Sequence, residues 1–137
     1  MLVVFYLGYG CPHCIEQLNL LAPAAKNFEA QGISIVAVGT DSVEGLGKTA
    51  EKAKQDGGFP FPLVSDESLK AFKAYRAYDD FERMALHGTF LVDGDGNVRW
   101  QDISYEPFTD MKFLAGESRR LLALSKNQIV AEHKTRD

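Results

Sequence analysis

Both cysteines of the chain lie in one short motif, Cys11-Pro12-His13-Cys14. The motif follows residues 2–7, a continuous apolar run that predicts a strand buried on both faces. Pro12 suits the first position of a helix, where its missing N–H is not needed. The first thiol is therefore expected at a helix N-terminus, where free N–H groups and the helix dipole favour a thiolate. Two thiols at this spacing can form a disulfide and release it again.

Two structural alternatives compete with this redox interpretation. The cysteines could be small buried residues, or they could form half of a zinc site. The sequence contains no second CxxC and no HxxxH to complete four zinc ligands. A disulfide across so short a loop removes little entropy from the unfolded chain, so stability alone is a poor reason to form it. We therefore favour redox chemistry.

Length and charge limit the classes of function. A chain of 137 residues predicts one domain with a real core. Its formal net charge of -4 argues against a nucleic-acid partner or an anionic membrane surface. No apolar stretch approaches the roughly 18 residues of a membrane span, so membrane insertion is not expected.

The start of the chain bears on its cellular location. Residues 1–9 are apolar but have no basic flank, so they make a poor signal peptide. A fold that begins on its first core strand leads us to expect a longer bacterial protein, with an export signal or another domain ahead of Met1. Dithiol motifs serve in reducing cytosol and in oxidising periplasm, so the compartment stays open, as does the oligomeric state.

The first half of the chain predicts a βαβ unit followed by two more helices. Apolar residues at helical spacing continue the helix from Pro12 to Gly32, with a kink at Pro23. Residues 33–38 form a second strand. A polar helix to about residue 56, a short strand at 63–64 and a helix to about residue 78 follow. Each of these two helices has two candidate caps: Asp41 or Ser42, and Ser65 or Asp66.

The second half predicts a loop, a hairpin and a closing helix. Residues 79–85 are expected to be loop. Residues 88–92 and 98–103 form two strands joined by an Asp-Gly-rich turn. A final helix over 109–124 is expected to bury Phe113, Leu114, Leu121 and Leu122. We assign residues 1–125 to the domain and 126–137 to a helical extension or tail.

This order predicts an α/β fold, a mixed central sheet of about five strands with helices on both faces. In this order of elements the chain resembles the redoxin branch of the thioredoxin-like superfamily. That branch contains peroxiredoxins (AhpC/TSA-like) and TlpA-like thiol-disulfide oxidoreductases. Three stretches carry the resemblance: residues 5–14, 59–66 and 88–96. The resemblance implies the thioredoxin fold over nearly the whole chain.

The resemblance also implies an activity. It implies a thiol-disulfide oxidoreductase, with antioxidant activity, that needs no organic cofactor. Electrons would pass to or from a dithiol or disulfide protein partner, or a small thiol. Cys11 is the expected nucleophile and Cys14 the buried resolving thiol. The supporting residues are Pro12, His13, His87 and Thr89. As in CPHC disulfide oxidases, His13 would stabilise the Cys11 thiolate, unless it is only a solvated imidazole.

The chain departs from the peroxiredoxin pattern when positions are counted from Cys11. Gly8 and Val4 then stand where peroxiredoxins place a threonine and a proline, and Cys14 stands in place of a glutamate. His87 replaces the arginine of peroxiredoxins and the cis-proline of thioredoxins. That threonine polarises the peroxide in peroxiredoxins, and Gly8 cannot do so. We therefore keep thiol peroxidase as our alternative function.

His87 supports a further alternative. Its backbone is expected to face the dithiol, where the side chain could donate a proton, pack against the loop, or become a third ligand. Two thiolates and an imidazole would suit Cu(I) or Zn(II). In the main interpretation we expect no bound metal. In the alternative interpretation, Cys11, Cys14 and His87 are the metal ligands of a carrier.

Overall fold

The computed structural model describes residues 1–124. The predicted extension, residues 126–137, lies outside the described residues. The elements of the described part, in chain order, are β1 (Leu2–Tyr6), α1 (Pro12–Ala30), β2 (Ile35–Gly39), α2 (Val43–Ala50), β3 (Leu63–Ser65), α3 (Lys70–Ala74), β4 (Tyr78–Asp79), β5 (Met84–Ala85), β6 (His87–Val92), β7 (Val98–Ser104) and α4 (Met111–Ala123). Within residues 1–124, no helix is both long enough and apolar enough to cross a membrane.

The central sheet has five strands in the order β3-β2-β1-β6-β7. β1 runs parallel to β2 and antiparallel to β6, so Phe5 lies between Val38 on one side and Gly88 on the other. β3 is parallel to β2, and β7 is antiparallel to β6. This arrangement confirms the predicted α/β fold with a mixed sheet of five strands.

β1 is buried on both faces because helices cover both sides of the sheet. Alternate β1 residues, Val4 among them, pack in one cluster with residues of α1 and α4. The intervening residues pack in a second cluster with Phe72 of α3. There the Phe5 ring lies 4.8 Å from the ring of Phe72, 5.0 Å from that of Tyr75 and 5.6 Å from that of Phe90. The continuous apolar run of the sequence reflects this two-sided burial.

α1 begins at Pro12, as predicted, and continues through Pro23. It ends in a turn at Gly32, whose φ of +77 suits glycine and whose N–H donates to the Glu29 carbonyl at 2.9 Å. β2 starts at Ile35, two residues later than predicted.

The two middle helices are shorter than predicted. α2 ends at Ala50 rather than near residue 56, and it contains two glycines, which are poor helix formers. α3 has only five residues, Lys70–Ala74. It starts after Leu69, which has a φ of +63, and the chain turns again at Arg76, with a φ of +62. The left-handed backbone conformation of the residues at both ends prevents a longer α3.

The predicted loop at 79–85 contains regular structure. Tyr78–Asp79 and Met84–Ala85 pair as a small antiparallel sheet. Asp79 Oδ1 accepts the N–H groups of Phe81 and Glu82, each at 3.0 Å, which closes the turn between these strands.

The last helix starts at Met111 instead of residue 109, because Asp110 is its cap and accepts the N–H of Phe113 at 3.0 Å. Leu114 is buried as predicted, but Phe113 is 46% exposed and lies at the edge of a Trp100–Phe108 cluster. Leu121 and Leu122 are only partly buried.

Candidate functional site

The two cysteines form a disulfide at the start of α1, with their Cα atoms 5.3 Å apart. Cys11 is the N-cap residue of the helix, and its Sγ accepts the N–H of Cys14 at 3.3 Å. Cys11 is partly exposed, whereas Cys14 has no exposed surface. The sulfurs therefore lie where the sequence places them, at a strand-to-helix junction, and only one of them faces solvent.

His87 brings a third chemical group to the disulfide. It is the first residue of β6, and the antiparallel pairing of β6 with β1 puts it at the end of the sheet where the disulfide lies. Its Nε2 is 3.0 Å from Cys14 Sγ and 3.7 Å from Cys11 Sγ. The sequence predicted that the backbone of His87 faces the dithiol. The structure adds that the imidazole itself contacts both sulfurs.

The surroundings of His87 keep its imidazole uncharged at neutral pH. Burial lowers the pKa of His87 below its usual value of 6.5, and nearby backbone of Tyr105 and Ser104 and the charge of Glu106 oppose this shift only in part. None of these groups makes a hydrogen bond of regular geometry with the buried Nδ1 atom. The site therefore offers a neutral base at the position where peroxiredoxins have an arginine, a permanent cation.

The sulfur of Cys14 also contacts the backbone. The N–H of Leu7, the residue directly after β1, donates to Cys14 Sγ at 3.3 Å. The hydroxyl of Thr40 donates to the Leu7 carbonyl at 3.0 Å and so holds Leu7 through the next peptide group. A donor held in this way stabilises negative charge on the sulfur.

Side chains from the α2 side hold the loop that leads to Cys11. Asp41 Oδ2 accepts the N–H of Tyr9 at 2.8 Å, and Lys52 Nζ donates to the Tyr9 carbonyl at 3.1 Å. Lys48 Nζ lies 4.8 Å from the centre of the Tyr9 ring. Asp41 was one of two predicted helix caps, but Ser42 fills that role by accepting the Gly45 N–H at 3.2 Å. Asp41 instead anchors the loop.

The structure separates the predicted supporting residues. Pro12 and His13 are exposed, and the charge of His13 acts on His87 only as a minor influence that lowers its pKa. Thr89 is buried, and its hydroxyl lies 3.4 Å from Nε2 of Gln17. Thr89 therefore lies in the sheet, beneath the helix that begins at the disulfide, and contacts Gln17 of that helix.

Sequence reasoning missed Gln17. This buried side chain donates from Nε2 to the carbonyl of Phe108 at 2.9 Å as well as to Thr89. The signal was its spacing, since a polar residue three positions after Cys14 lies on the same buried face of α1. Asp41 was detectable too, because it follows the carboxyl end of β2, beside that of β1.

A partly exposed disulfide at the N-terminus of a helix, on a sheet of this topology, defines a thioredoxin-like redoxin. The sequence model of the AhpC/TSA family matches residues 1–101, and the chain belongs to this family. That membership agrees with the resemblance carried by the three sequence stretches.

Curated relatives are peroxiredoxins and related peroxidases. Peroxiredoxin TSA2 of Saccharomyces cerevisiae is 30% identical over 89 residues, covering 63% of this chain and 45% of the relative. Alkyl hydroperoxide reductase C of Buchnera aphidicola is 32% identical over 108 residues, covering 74% of this chain and 53% of the relative. The chain thus spans about half the length of the curated relatives it matches.

Solved structures support the fold. AhpC of Mycobacterium bovis aligns with a TM-score of 0.77 at 17% identity, covering 91% of this chain and 71% of the other. Peroxidoxin BcpB of Mycobacterium tuberculosis aligns with a TM-score of 0.72 at 22% identity, covering 90% and 80%. At such identities the likeness concerns the fold alone.

Proposed function

We propose that this chain is a thiol peroxidase that alternates between a dithiol and the Cys11–Cys14 disulfide. One observation carries the proposal. Cys14 Sγ lies between the Leu7 N–H and the neutral imidazole of His87, while it is bonded to the partly exposed Cys11. The peroxiredoxin relatives support a hydroperoxide as the oxidant. No organic cofactor is needed.

The reducing half of the cycle begins at Cys11, the sulfur that a partner can reach. A thiolate of a dithiol protein or small thiol attacks Cys11 Sγ, and the Cys11–Cys14 bond breaks with Cys14 leaving as a thiolate. The second partner thiol then attacks the mixed disulfide, which releases reduced Cys11 and the oxidised partner. The Leu7 N–H stabilises the departing Cys14 sulfur, and stabilised thiolates leave faster.

The oxidising half uses the thiolate that the first half produces. Cys14 Sγ attacks one oxygen of the hydroperoxide, an S–O bond forms, the O–O bond breaks, and the other oxygen takes a proton and leaves as alcohol or water. Cys11 then attacks the sulfenic acid on Cys14, and water leaves as the disulfide forms. When Cys14 starts this half as a thiol, His87 Nε2, 3.0 Å from its sulfur, takes the thiol proton and returns it to the leaving oxygen; when Cys14 starts as a thiolate, that proton comes from water.

The spacing of the peroxiredoxin motif supports Cys14 as the sulfur that attacks peroxide. Counted from Cys14, the threonine, proline and glutamate positions fall on Cys11, Leu7 and Gln17. Gln17 is a close analogue of glutamate, and His87, at the arginine position, lies nearer to Cys14 than to Cys11. This proposal gives Cys14 the attacking role that the sequence interpretation gave to Cys11.

The test is peroxide consumption by the reduced protein with dithiothreitol as reductant. Wild type should consume hydrogen peroxide and cumene hydroperoxide faster than dithiothreitol alone, and Cys14→Ser should abolish this excess. Reduced Cys11→Ser, freed of dithiothreitol and treated with one equivalent of hydrogen peroxide, should hold a sulfenic acid on Cys14 that dimedone traps. Wild-type consumption no faster than dithiothreitol alone contradicts the peroxidase. A sulfenic acid on Cys11 in Cys14→Ser, with none on Cys14 in Cys11→Ser, reverses the order of the two sulfurs.

A second candidate is a thiol-disulfide oxidoreductase that acts on protein disulfides. The observation that favours it is the missing threonine, because its position holds Gly8 or Cys11 according to the count, and neither supplies a hydroxyl to polarise a peroxide. Reduction of insulin disulfides at a rate that depends on Cys11, together with no peroxide consumption, would favour this candidate over the peroxidase.

A further inference from the structure

We propose that the reduced protein binds one Cu(I) ion through Cys11 Sγ, Cys14 Sγ and His87 Nε2. Among the described residues these three side chains form a group whose ligand atoms all lie within 4.8 Å of one another. The site needs only that the disulfide can be reduced. It does not depend on whether the protein consumes peroxide.

The geometry needs only small adjustments. With metal–sulfur bonds of about 2.3 Å and metal–nitrogen bonds of about 2.0 Å, a trigonal site separates sulfur from nitrogen by roughly 3.7 Å and the sulfurs by roughly 4.0 Å. The Cys11 Sγ to His87 Nε2 distance is already 3.7 Å, and the Cys14 Sγ to Nε2 distance of 3.0 Å must lengthen. Breaking the disulfide allows the sulfurs to move apart.

The donor set selects the metal. Two thiolates and one imidazole are soft ligands, which favour Cu(I) and Zn(II). Zinc takes four ligands in structural sites, and residues 1–124 bring no fourth His, Cys, Asp or Glu to this group. Cu(I) is satisfied by three ligands. The described residues therefore fit Cu(I) better than Zn(II).

Burial gives the site one open side. Cys14 and His87 are 0% and 5% exposed, so two of the three ligands are shielded from water. Cys11 is partly exposed and can accept the ion from a thiolate of a donor by ligand exchange. Removal of two electrons from the dithiol by an added disulfide oxidant joins the sulfurs and removes both thiolate ligands. Binding is thus confined to the reduced protein.

The test is an anaerobic competition for Cu(I) between the reduced protein and the coloured chelator bathocuproine disulfonate. Reduced wild type should take one equivalent of Cu(I) from the chelator, and the disulfide form should take none. His87→Ala should weaken the affinity at least about tenfold. Phe81→Ala is the control, because this ring is 90% exposed and carries no ligand atom, and the variant should bind as wild type does.

Further measurements keep the test decisive. A thiol titration and a circular dichroism spectrum must show that His87→Ala is folded and holds two free thiols. His87→Met, which restores a soft ligand, should recover affinity that His87→Ala loses. X-ray absorption of the wild-type complex should show two sulfurs and one nitrogen around copper. No competition by reduced wild type, equal binding by folded His87→Ala, or a sulfur-only copper environment would overturn the site.

Discussion

Gly8 and Asp41 are packed so closely that no side chain fits at position 8. A Cβ atom on Gly8 would lie 2.6 Å from Asp41 Oδ1 and 3.1 Å from Asp41 Cγ, and the φ of Gly8 is +105. The carboxylate cannot easily move away, because it accepts the N–H of Tyr9 at 2.8 Å. The contact therefore sets the path of the loop that carries Cys11.

Gly8→Ala is expected to destabilise the disulfide form by about 1–3 kcal/mol, because the variant meets both backbone strain and a clash with Asp41. Urea unfolding measures this loss. Gly10→Ala is the matched control: its Cβ would have nothing within 4 Å, and its φ is not positive, so its stability should stay within about 0.5 kcal/mol of wild type. Equal losses in both variants would show that the Asp41 contact is unimportant.

His87 predicts a pH dependence of stability. Because burial lowers the pKa of His87, the unfolded chain binds more protons than the folded one when the pH falls below about 6.5. Stability from the neutral imidazole is therefore complete above pH 6.5 and is lost as the pH falls through the folded pKa. In urea unfolding of the disulfide form, His87→Gln should lose less stability between pH 7 and pH 5 than wild type does.

The control for this pH dependence is His13→Gln, since His13 is exposed on the same side of the molecule. It should keep the wild-type decline between pH 7 and pH 5. A His87→Gln variant that declines as steeply as wild type would show that other groups carry the acid sensitivity.

The parts of the fold that the sequence predicts well are those with strong local signals. The apolar run of β1 indicates burial on both faces, and Pro12 places the start of α1. The hairpin turn between β6 and β7 was predicted from Asp and Gly, and Asp93 Oδ1 accepts the N–H groups of Asp95 and Asn97 there. In each case one short segment contains the whole signal.

The region from residue 66 to 86 was harder to predict because tertiary contacts decide its structure. Leu69, Arg76 and Arg83 have positive φ values, which no propensity assigns to leucine or arginine. The functional site could be predicted only in part, again because tertiary contacts decide some of its structure. Cys11 and Cys14 are marked by local spacing, whereas the contact of the His87 side chain with their sulfurs depends on the pairing of β6 with β1.

The aromatic cluster on one face of β1 predicts a large effect of truncating Phe5. This buried ring contacts Phe72, Tyr75 and Phe90, so Phe5→Ala leaves a cavity and should cost about 3–5 kcal/mol in urea unfolding. Phe81→Ala makes the same chemical change at a ring that is 90% exposed, and should change stability by less than about 0.5 kcal/mol. A small loss in Phe5→Ala would mean that this face of the sheet repacks.

Gln17 predicts a change that depends on pH. The Gln17 Nε2 atom donates to the Phe108 carbonyl. In Gln17→Glu a carboxylate oxygen, which can only accept hydrogen bonds, faces that carbonyl oxygen at a position that is 1% exposed. The folded pKa of this glutamate should rise, because a protonated carboxyl can donate where a carboxylate cannot. A group with a raised folded pKa loses stability as the pH rises through that pKa. Relative to wild type, Gln17→Glu should therefore lose about 1–3 kcal/mol at pH 8 and less at pH 5.

Gln17→Leu separates the charge effect from loss of the hydrogen bond. It leaves the Phe108 carbonyl without its donor at every pH, so its loss of stability relative to wild type should be the same at pH 5 and pH 8. Urea unfolding of the disulfide forms at both pH values measures the two variants together. If the Gln17→Glu loss is also independent of pH, the carboxylate reaches water, and the position three residues after Cys14 tolerates the acid that peroxiredoxins place after their reactive cysteine.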